Sequence, residues 1–155
     1  MSAEQKRRLA KHAISNRRVL SEAREYPRPV PFSRGVRVEL DRCALLFISG
    51  TAGVDEHGCS VHPGDVRAQA RRAFTNIAGL LASEGADWHD VVRTTVYLAD
   101  FRYYDAFNEV RDAFYRQQGL DPLPASTCVE ARLCRPELLV EIEAIAVVPG
   151  DRTAP

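Results

Sequence analysis

The chain has 155 residues, and its 21 lysine and arginine side chains are balanced by 21 aspartate and glutamate side chains. This length suits one domain with a sizeable core. The zero formal charge and the lack of a long apolar run predict neither a nucleic-acid partner nor a membrane partner.

Four cysteines and four histidines are scattered along the chain without Cys-x-x-Cys or paired-histidine spacing. We therefore expect neither a metal ion nor another cofactor. The N-terminus lacks the apolar segment of a signal peptide, so a cytoplasmic location is expected. Only Lys6 and Lys11 are lysines, and this bias toward arginine is typical of bacterial genomes rich in GC.

Residues 1–26 form a predicted basic arm before the domain. Leu9, Ala13 and Leu20 form only a weak helical stripe, so the arm is expected to be partly disordered or helical and dispensable for the fold. The alternative is a helix that docks on a neighbouring subunit or on an acidic partner. The domain itself is predicted to cover residues 27–149, and residues 150–155 are a tail.

The rest of the chain alternates between strand and helix patterns. The predicted elements are strands at 36–40 and 44–49 joined by a turn, a helix between Asp65 and Gly85, a strand at 91–98, a helix at 103–117, and strands at 126–133 and 138–147. This order predicts an α+β fold, a two-layer sandwich in which a mixed sheet packs on two long helices.

The last predicted strand alternates strictly. Its apolar face carries Val140, Ile142 and Ala144, and its other face carries Glu141 and Glu143. A half-exposed strand explains this pattern. The alternative is that the second face lines a cleft or a subunit contact, where a carboxylate can act as an acid or a base.

Several short motifs are similar to one protein family. They are Pro-Ala-Ser-Thr-Cys-Val-Glu at 124–130, Glu-Ile-Glu-Ala-Ile-Ala at 141–146, Val-Val-Arg-Thr-Thr-Val-Tyr-Leu at 91–98, Pro-Phe-Ser at 31–33 and Ser-Gly-Thr at 49–51. In this order and spacing, over about residues 27–148, the chain resembles the reactive intermediate deaminase (Rid, YjgF) family.

The resemblance implies the chorismate-mutase-like fold and a homotrimer with three sites at subunit contacts. It also implies enamine or imine substrates derived from 2-amino acids. Glu141 aligns with the carboxylate that positions the hydrolytic water, and Gly50 and Cys128 align with pocket positions.

Two positions depart from the family pattern. Ser126 occupies the position of the arginine that binds the substrate carboxylate, and Phe32 replaces a tyrosine. In the second helix, the segment 108–114 matches the family's Asn-x-x-Tyr-x-x-Phe element, and Asn108 is expected to make a specific hydrogen bond to the backbone or toward the site. Without the arginine at 126, efficient deamination of 2-aminoacrylate is not expected. Arg34 or Arg37 could replace the missing cation.

These observations leave three functions open. The first is an enzyme on a small metabolite, with Glu141 as the acid, base or water-positioning group and Ser126, Asn108, Gly50 and Thr51 as polar contacts. The second is a non-catalytic homotrimer that binds a small ligand or regulates. The third is a ribonuclease, which the absence of basic or histidine groups at the motif positions disfavours.

Overall fold

The computed structural model describes residues 9–150. Its regular elements are β1 (Lys11–Ile14), β2 (Gly35–Glu39), β3 (Cys43–Ala52), α1 (Val66–Ala82), β4 (Val91–Leu98), α2 (Tyr104–Gln118), β5 (Ala125–Glu130) and β6 (Val140–Pro149). The first eight residues of the predicted arm and, apart from Gly150, the predicted tail lie outside the described residues.

One six-stranded sheet runs in the order β1-β2-β3-β6-β4-β5. Only the pair β4–β5 is parallel, and the other neighbours are antiparallel. Both helices cover the same face of this sheet, so the predicted α+β sandwich with a mixed sheet is confirmed. No helix between residues 9 and 150 is long and apolar enough to cross a membrane.

The two helices begin and end where local chemistry requires. The Asp65 carboxylate caps α1 by accepting a hydrogen bond from the Ala68 amide at 2.9 Å. Helix α2 ends at Gly119, which has a φ of 68° that glycine adopts without strain. An aromatic cluster fills the space between the helices and comprises Phe74, Trp88, Phe107, Phe114 and Tyr115.

The alternation of β6 is present as predicted. Val140, Ile142 and Ala144 are buried under the helices, whereas Glu141 and Glu143 lie half-buried on the opposite side. We call this second side the open face, because neither α1 nor α2 covers it. It also carries apolar side chains, and Phe47 on the neighbouring strand is 42% exposed.

Strand β5 is shorter than the sequence pattern predicts. It pairs only with β4, and its last partner is the terminal residue of that strand, in the pair Leu98–Glu130. The Ala131 amide still donates to the Leu98 carbonyl at 2.9 Å, and beyond it β4 offers no further partner, so residues 132–139 leave the edge and cross to β6.

The helical stripe suggested for Leu9, Ala13 and Leu20 does not form, and within the described part of the arm the helical residues are the short 3-10 turn Ala23–Glu25. Residues 11–14 form β1, which pairs antiparallel with β2 at the edge of the sheet. Ile14, Leu20 and Ala23 are at most 2% exposed and join the core. The sequence did not reveal this strand, because three of its four residues are exposed and only Ile14 is buried. An edge strand of this kind has no alternating apolar pattern.

Candidate functional site

A cleft of about 550 Å³ lies at the end of the open face, and we call it the Glu141 cleft. It brings together four residues predicted for the site. They are Glu141, the predicted acid or base, and Phe32, Arg34 and Gly50. Tyr97 of β4 and the segment 131–135, which includes Arg132 and Arg135, complete much of the wall. The elements meet here because β6 lies between β3 and β4, which places Glu141 opposite Ala52 on one side and Tyr97 on the other.

The Glu141 carboxylate packs directly against the backbone of Gly50. Gly50 lies in an irregularity of β3, where the pairing with β6 shifts register between Ile48 and Thr51. A Cβ atom at position 50 would overlap Glu141 Oε1 and lie 2.9 Å from its Cδ. Thr51 is 2% exposed, and its hydroxyl donates to the Ser49 carbonyl at 2.8 Å. Thr51 therefore braces this bulge and does not line the cleft.

The environment of Glu141 favours its protonated form. Burial, and to a lesser extent the charge of Glu143 on the same face, raise the pKa of Glu141 above its ordinary value. Glu143 accepts a hydrogen bond from the Tyr97 hydroxyl at 3.1 Å. A carboxyl group with a raised pKa holds its proton more strongly than an exposed glutamate and can act both as an acceptor and as a donor.

Arg34 lies in the wall of the same cleft but is already engaged. It is 4% exposed, its Nε donates to the Ser21 carbonyl at 2.8 Å, and its Nη2 donates to the Tyr26 hydroxyl. The rings of Tyr26 and Phe32 lie 5.0 and 5.4 Å from its guanidinium carbon. Arg34 therefore joins the arm to the cleft wall.

Ser126 and Asn108 lie in a second cleft of about 520 Å³, which we call the Ser126 cleft. Ser126 is the parallel partner of Thr94, which is buried beneath the helices, and their hydroxyl oxygens are 3.2 Å apart. Ser126 thus belongs to the helix side of the sheet and Glu141 to the open face. Within one chain the sheet separates these two predicted site residues.

Cys128 points to the helix side of β5, two residues beyond Ser126, and lines neither cleft. It borders a shallow depression with Phe101, Tyr104 and Asp105. Burial raises the pKa of the Cys128 thiol, although the Arg111 charge partly opposes this effect. The thiol is therefore not activated as a nucleophile.

Three residues with evident roles were missed by the predictions from sequence. Arg111 lies in the Ser126 cleft and Tyr97 in the Glu141 cleft. Gln69 is fully buried, and its amide donates to the Glu137 carbonyl and accepts from the Leu139 amide, both at 2.8 Å. It anchors the segment that leads into Glu141. The spacing of Asn108 and Arg111 by three helical positions could have revealed Arg111.

A family model described as endoribonuclease L-PSP matches residues 25–148. The 2-iminobutanoate/2-iminopropanoate deaminase of Capra hircus is 35% identical over 131 residues, which are 84% of this chain and 90% of that protein. The chain belongs to the Rid (YjgF) family. Another Rid relative, the 3-aminoacrylate deaminase RutC of Acinetobacter baylyi, is 32% identical over 67% of this chain and 79% of its own length.

Solved Rid structures share the fold. The YjgF gene product of E. coli superposes with a TM-score of 0.71 and 28% identity, covering 88% of this chain and 98% of its own. E. coli TdcF, whose crystal structure contains bound serine, gives a TM-score of 0.72 and 27% identity over the same shares. Within the described residues of this Rid chain, no group of three or more acidic, cysteine or histidine side chains could hold a metal ion.

Gly50→Ala tests whether the position of the Glu141 carboxylate against Gly50 is required for ligand binding or turnover in this Rid protein. The added methyl group meets the end of a flexible side chain, so we expect the carboxylate to move while the fold is retained. Ligand binding or turnover in the Glu141 cleft should fall about tenfold or more, with a melting temperature within a few degrees of wild type. Gly64→Ala is unsuitable as a control because its φ is 79°. Thr75→Ala, on the exposed side of α1 and outside both clefts, is suitable.

Proposed function

We propose that this chain hydrolyses small imines or enamines derived from 2-amino acids, in the cytoplasm, to the corresponding carbonyl compound and ammonia. The observation that carries the proposal is the half-buried Glu141 carboxylate, with its raised pKa, seated on Gly50 in the Glu141 cleft. The printed names of the goat and Acinetobacter relatives, both deaminases, support the same chemistry.

The reaction requires one group that handles protons. Ionised Glu141 accepts a proton from water while the water oxygen bonds to the carbon of the N-protonated imine and the C=N π electron pair moves onto nitrogen, which gives a neutral carbinolamine. Protonated Glu141 then returns its proton to the nitrogen, the C–N bond breaks, ammonia leaves as the C=O bond forms, and the hydroxyl proton passes to solvent. An enamine enters the same sequence after protonation at carbon. A carboxyl group with a raised pKa suits both directions of this transfer.

We further propose that the site is assembled between subunits of a homotrimer. Glu141 and Ser126 lie on opposite faces of the sheet, so a second chain must present its Ser126 cleft to the Glu141 cleft of the first. The partly exposed apolar residues of the open face, such as Phe47 and Ile145, are suited to a subunit contact. Sedimentation at micromolar concentration is expected to give about three times the chain mass of 17.3 kDa.

The direct test uses imines made in the assay by an amino-acid oxidase. Semicarbazide traps the imine that survives, and the full-length protein should lower the trapped fraction in proportion to its concentration. Alanine, leucine and phenylalanine as precursors vary the substrate side chain while the imino carboxylate stays constant. The preferred precursor then defines the substrate class.

Two outcomes would contradict the proposal. If no imine is consumed but a keto acid or amino acid raises the melting temperature, the chain is the non-catalytic ligand-binding homotrimer. A monomer that hydrolyses imines at full rate would remove the intersubunit site while leaving the chemistry. The ribonuclease function has weaker support, because arginines line both clefts but neither lining contains a histidine to act as a general base.

A further inference from the structure

Arg111 on α2 directs its guanidinium group to the position where the chain has Ser126. Its Nη1 donates to Ser126 Oγ at 3.0 Å, and its Nη2 donates to Asn108 Oδ1 at 2.6 Å. The guanidinium carbon lies 5.3 Å from the centre of the Phe107 ring. Two hydrogen bonds and a ring contact therefore hold this cation in one orientation at the wall of the Ser126 cleft.

The charge of Arg111 is not neutralised by its surroundings. Its three partners are a hydroxyl, an amide and an aromatic ring, none of which carries a charge. The neighbouring Asp112 pairs with Arg116 instead. Across residues 9–150, no carboxylate oxygen lies within 4.0 Å of an Arg111 nitrogen. An oriented cation without a carboxylate partner in a cleft is suited to an anionic ligand.

Arg34, the cation that the sequence suggested, is less suited to this task. Its guanidinium is already bound by the Ser21 carbonyl and the Tyr26 hydroxyl, and only 4% of the residue is exposed. Releasing it would detach the arm from the cleft wall. Arg111 is half-buried and borders an open cleft. It can therefore bind a ligand without releasing a segment of the chain, as Arg34 would release the arm.

We propose that Arg111, oriented by Ser126 and Asn108, binds the carboxylate of the substrate. The proposal rests on the proposed function and adds its specificity-determining residue. The cation that Rid deaminases carry at the position of Ser126 is thereby supplied from α2, by a residue where the family pattern has tyrosine. The short Ser126 side chain is part of this arrangement, because it leaves room for the guanidinium and accepts its hydrogen bond.

The test measures binding as well as turnover. Isothermal titration of the full chain with 2-oxobutanoate, a carboxylate, is compared with titration of its neutral methyl ester. Wild type should bind the acid more tightly than the ester. Arg111→Gln should weaken binding of the acid about 10- to 100-fold and leave the ester unchanged, and Arg111→Lys should lie between. Arg67→Gln, on the exposed side of α1, is the matched control and should behave as wild type.

Turnover separates this proposal from the proposed function. With an imino acid substrate, Arg111→Gln should raise KM by the same factor and change kcat little. If wild type consumes no imine but binds the acid through Arg111, the anion site stands and the hydrolytic function falls. If wild type is active and Arg111→Gln changes neither KM nor the binding of the acid, the anion site falls. Equal binding of acid and ester by wild type would also overturn it.

Discussion

Glu141→Gln is expected to lower kcat for imine hydrolysis about 100- to 10,000-fold, the usual range for loss of a general acid or base. The amide has nearly the shape of the carboxylate and keeps its place on Gly50, but it cannot accept a proton from water. Glu56→Gln is the matched control, since Glu56 lies in an exposed turn and pairs with Arg72 at the surface. Equal kcat for Glu141→Gln and wild type would remove Glu141 from the mechanism.

The pH dependence gives the same experiment a second readout. Because the pKa of Glu141 is raised above 4.5, wild-type kcat/KM should decline on acidification at a higher pH than an exposed glutamate would cause. The Glu141 carboxyl group also binds its proton more tightly in the folded chain than in the unfolded chain. The contribution of this proton to the free energy of unfolding is therefore present below pH 4.5 and is lost as the pH rises through the pKa of Glu141 in the folded chain. Glu141→Gln should consequently melt above wild type at pH 8 and close to it at pH 4.

Deletion of the arm is expected to have the largest effect on stability. A chain that starts at Tyr26 lacks β1 and the buried side chains of Ile14 and Leu20. Truncating a single buried leucine or isoleucine to alanine costs about 2–5 kcal/mol, and whole domains are stable by only about 5–15 kcal/mol. We expect the shortened chain to melt at least about 10 °C lower, or to show no cooperative transition by circular dichroism.

Point variants keep this prediction testable if the shortened chain does not fold. Ile14→Ala should lower the free energy of unfolding in urea by about 2–5 kcal/mol. Leu9→Ala is the control: Leu9 is 65% exposed, so its loss should change stability by less than about 0.5 kcal/mol. A shortened chain that melts within a few degrees of full length would instead support the dispensable arm that the charged composition predicts.

The main body of the fold could be predicted because each element has a periodic apolar pattern. Both helices, β4 and the alternation of β6 follow directly from the spacing of apolar residues. The edge strands were harder. Strand β1 places one buried residue, Ile14, among charged neighbours, and β5 ends where its partner β4 ends. Pairing of this kind depends on residues distant in the sequence, which a local pattern does not contain.

The candidate site was predictable on one side of the sheet only. Phe32, Gly50 and Glu141 were identified from short motifs, and they line one cleft. The resemblance also placed Ser126 in the same site as Glu141, but within one chain their side chains lie on different faces of the sheet. Arg111 escaped notice because an arginine on a helix is usually solvated. Its contact with Ser126 distinguishes it from Arg116, the other arginine of α2, which pairs with Asp112.

The separation of Glu141 and Arg111 by the sheet has a genetic consequence. In the proposed trimer each site takes Glu141 from one subunit and Arg111 from its neighbour, so a defect in one residue leaves the other half intact. A Glu141 allele and an Arg111 allele, each impaired alone at low substrate concentration, would complement one another when expressed together. With random mixing, about a quarter of the sites would combine two unaltered halves. An organism carrying both alleles would therefore retain, at low substrate concentration, activity that neither allele provides alone.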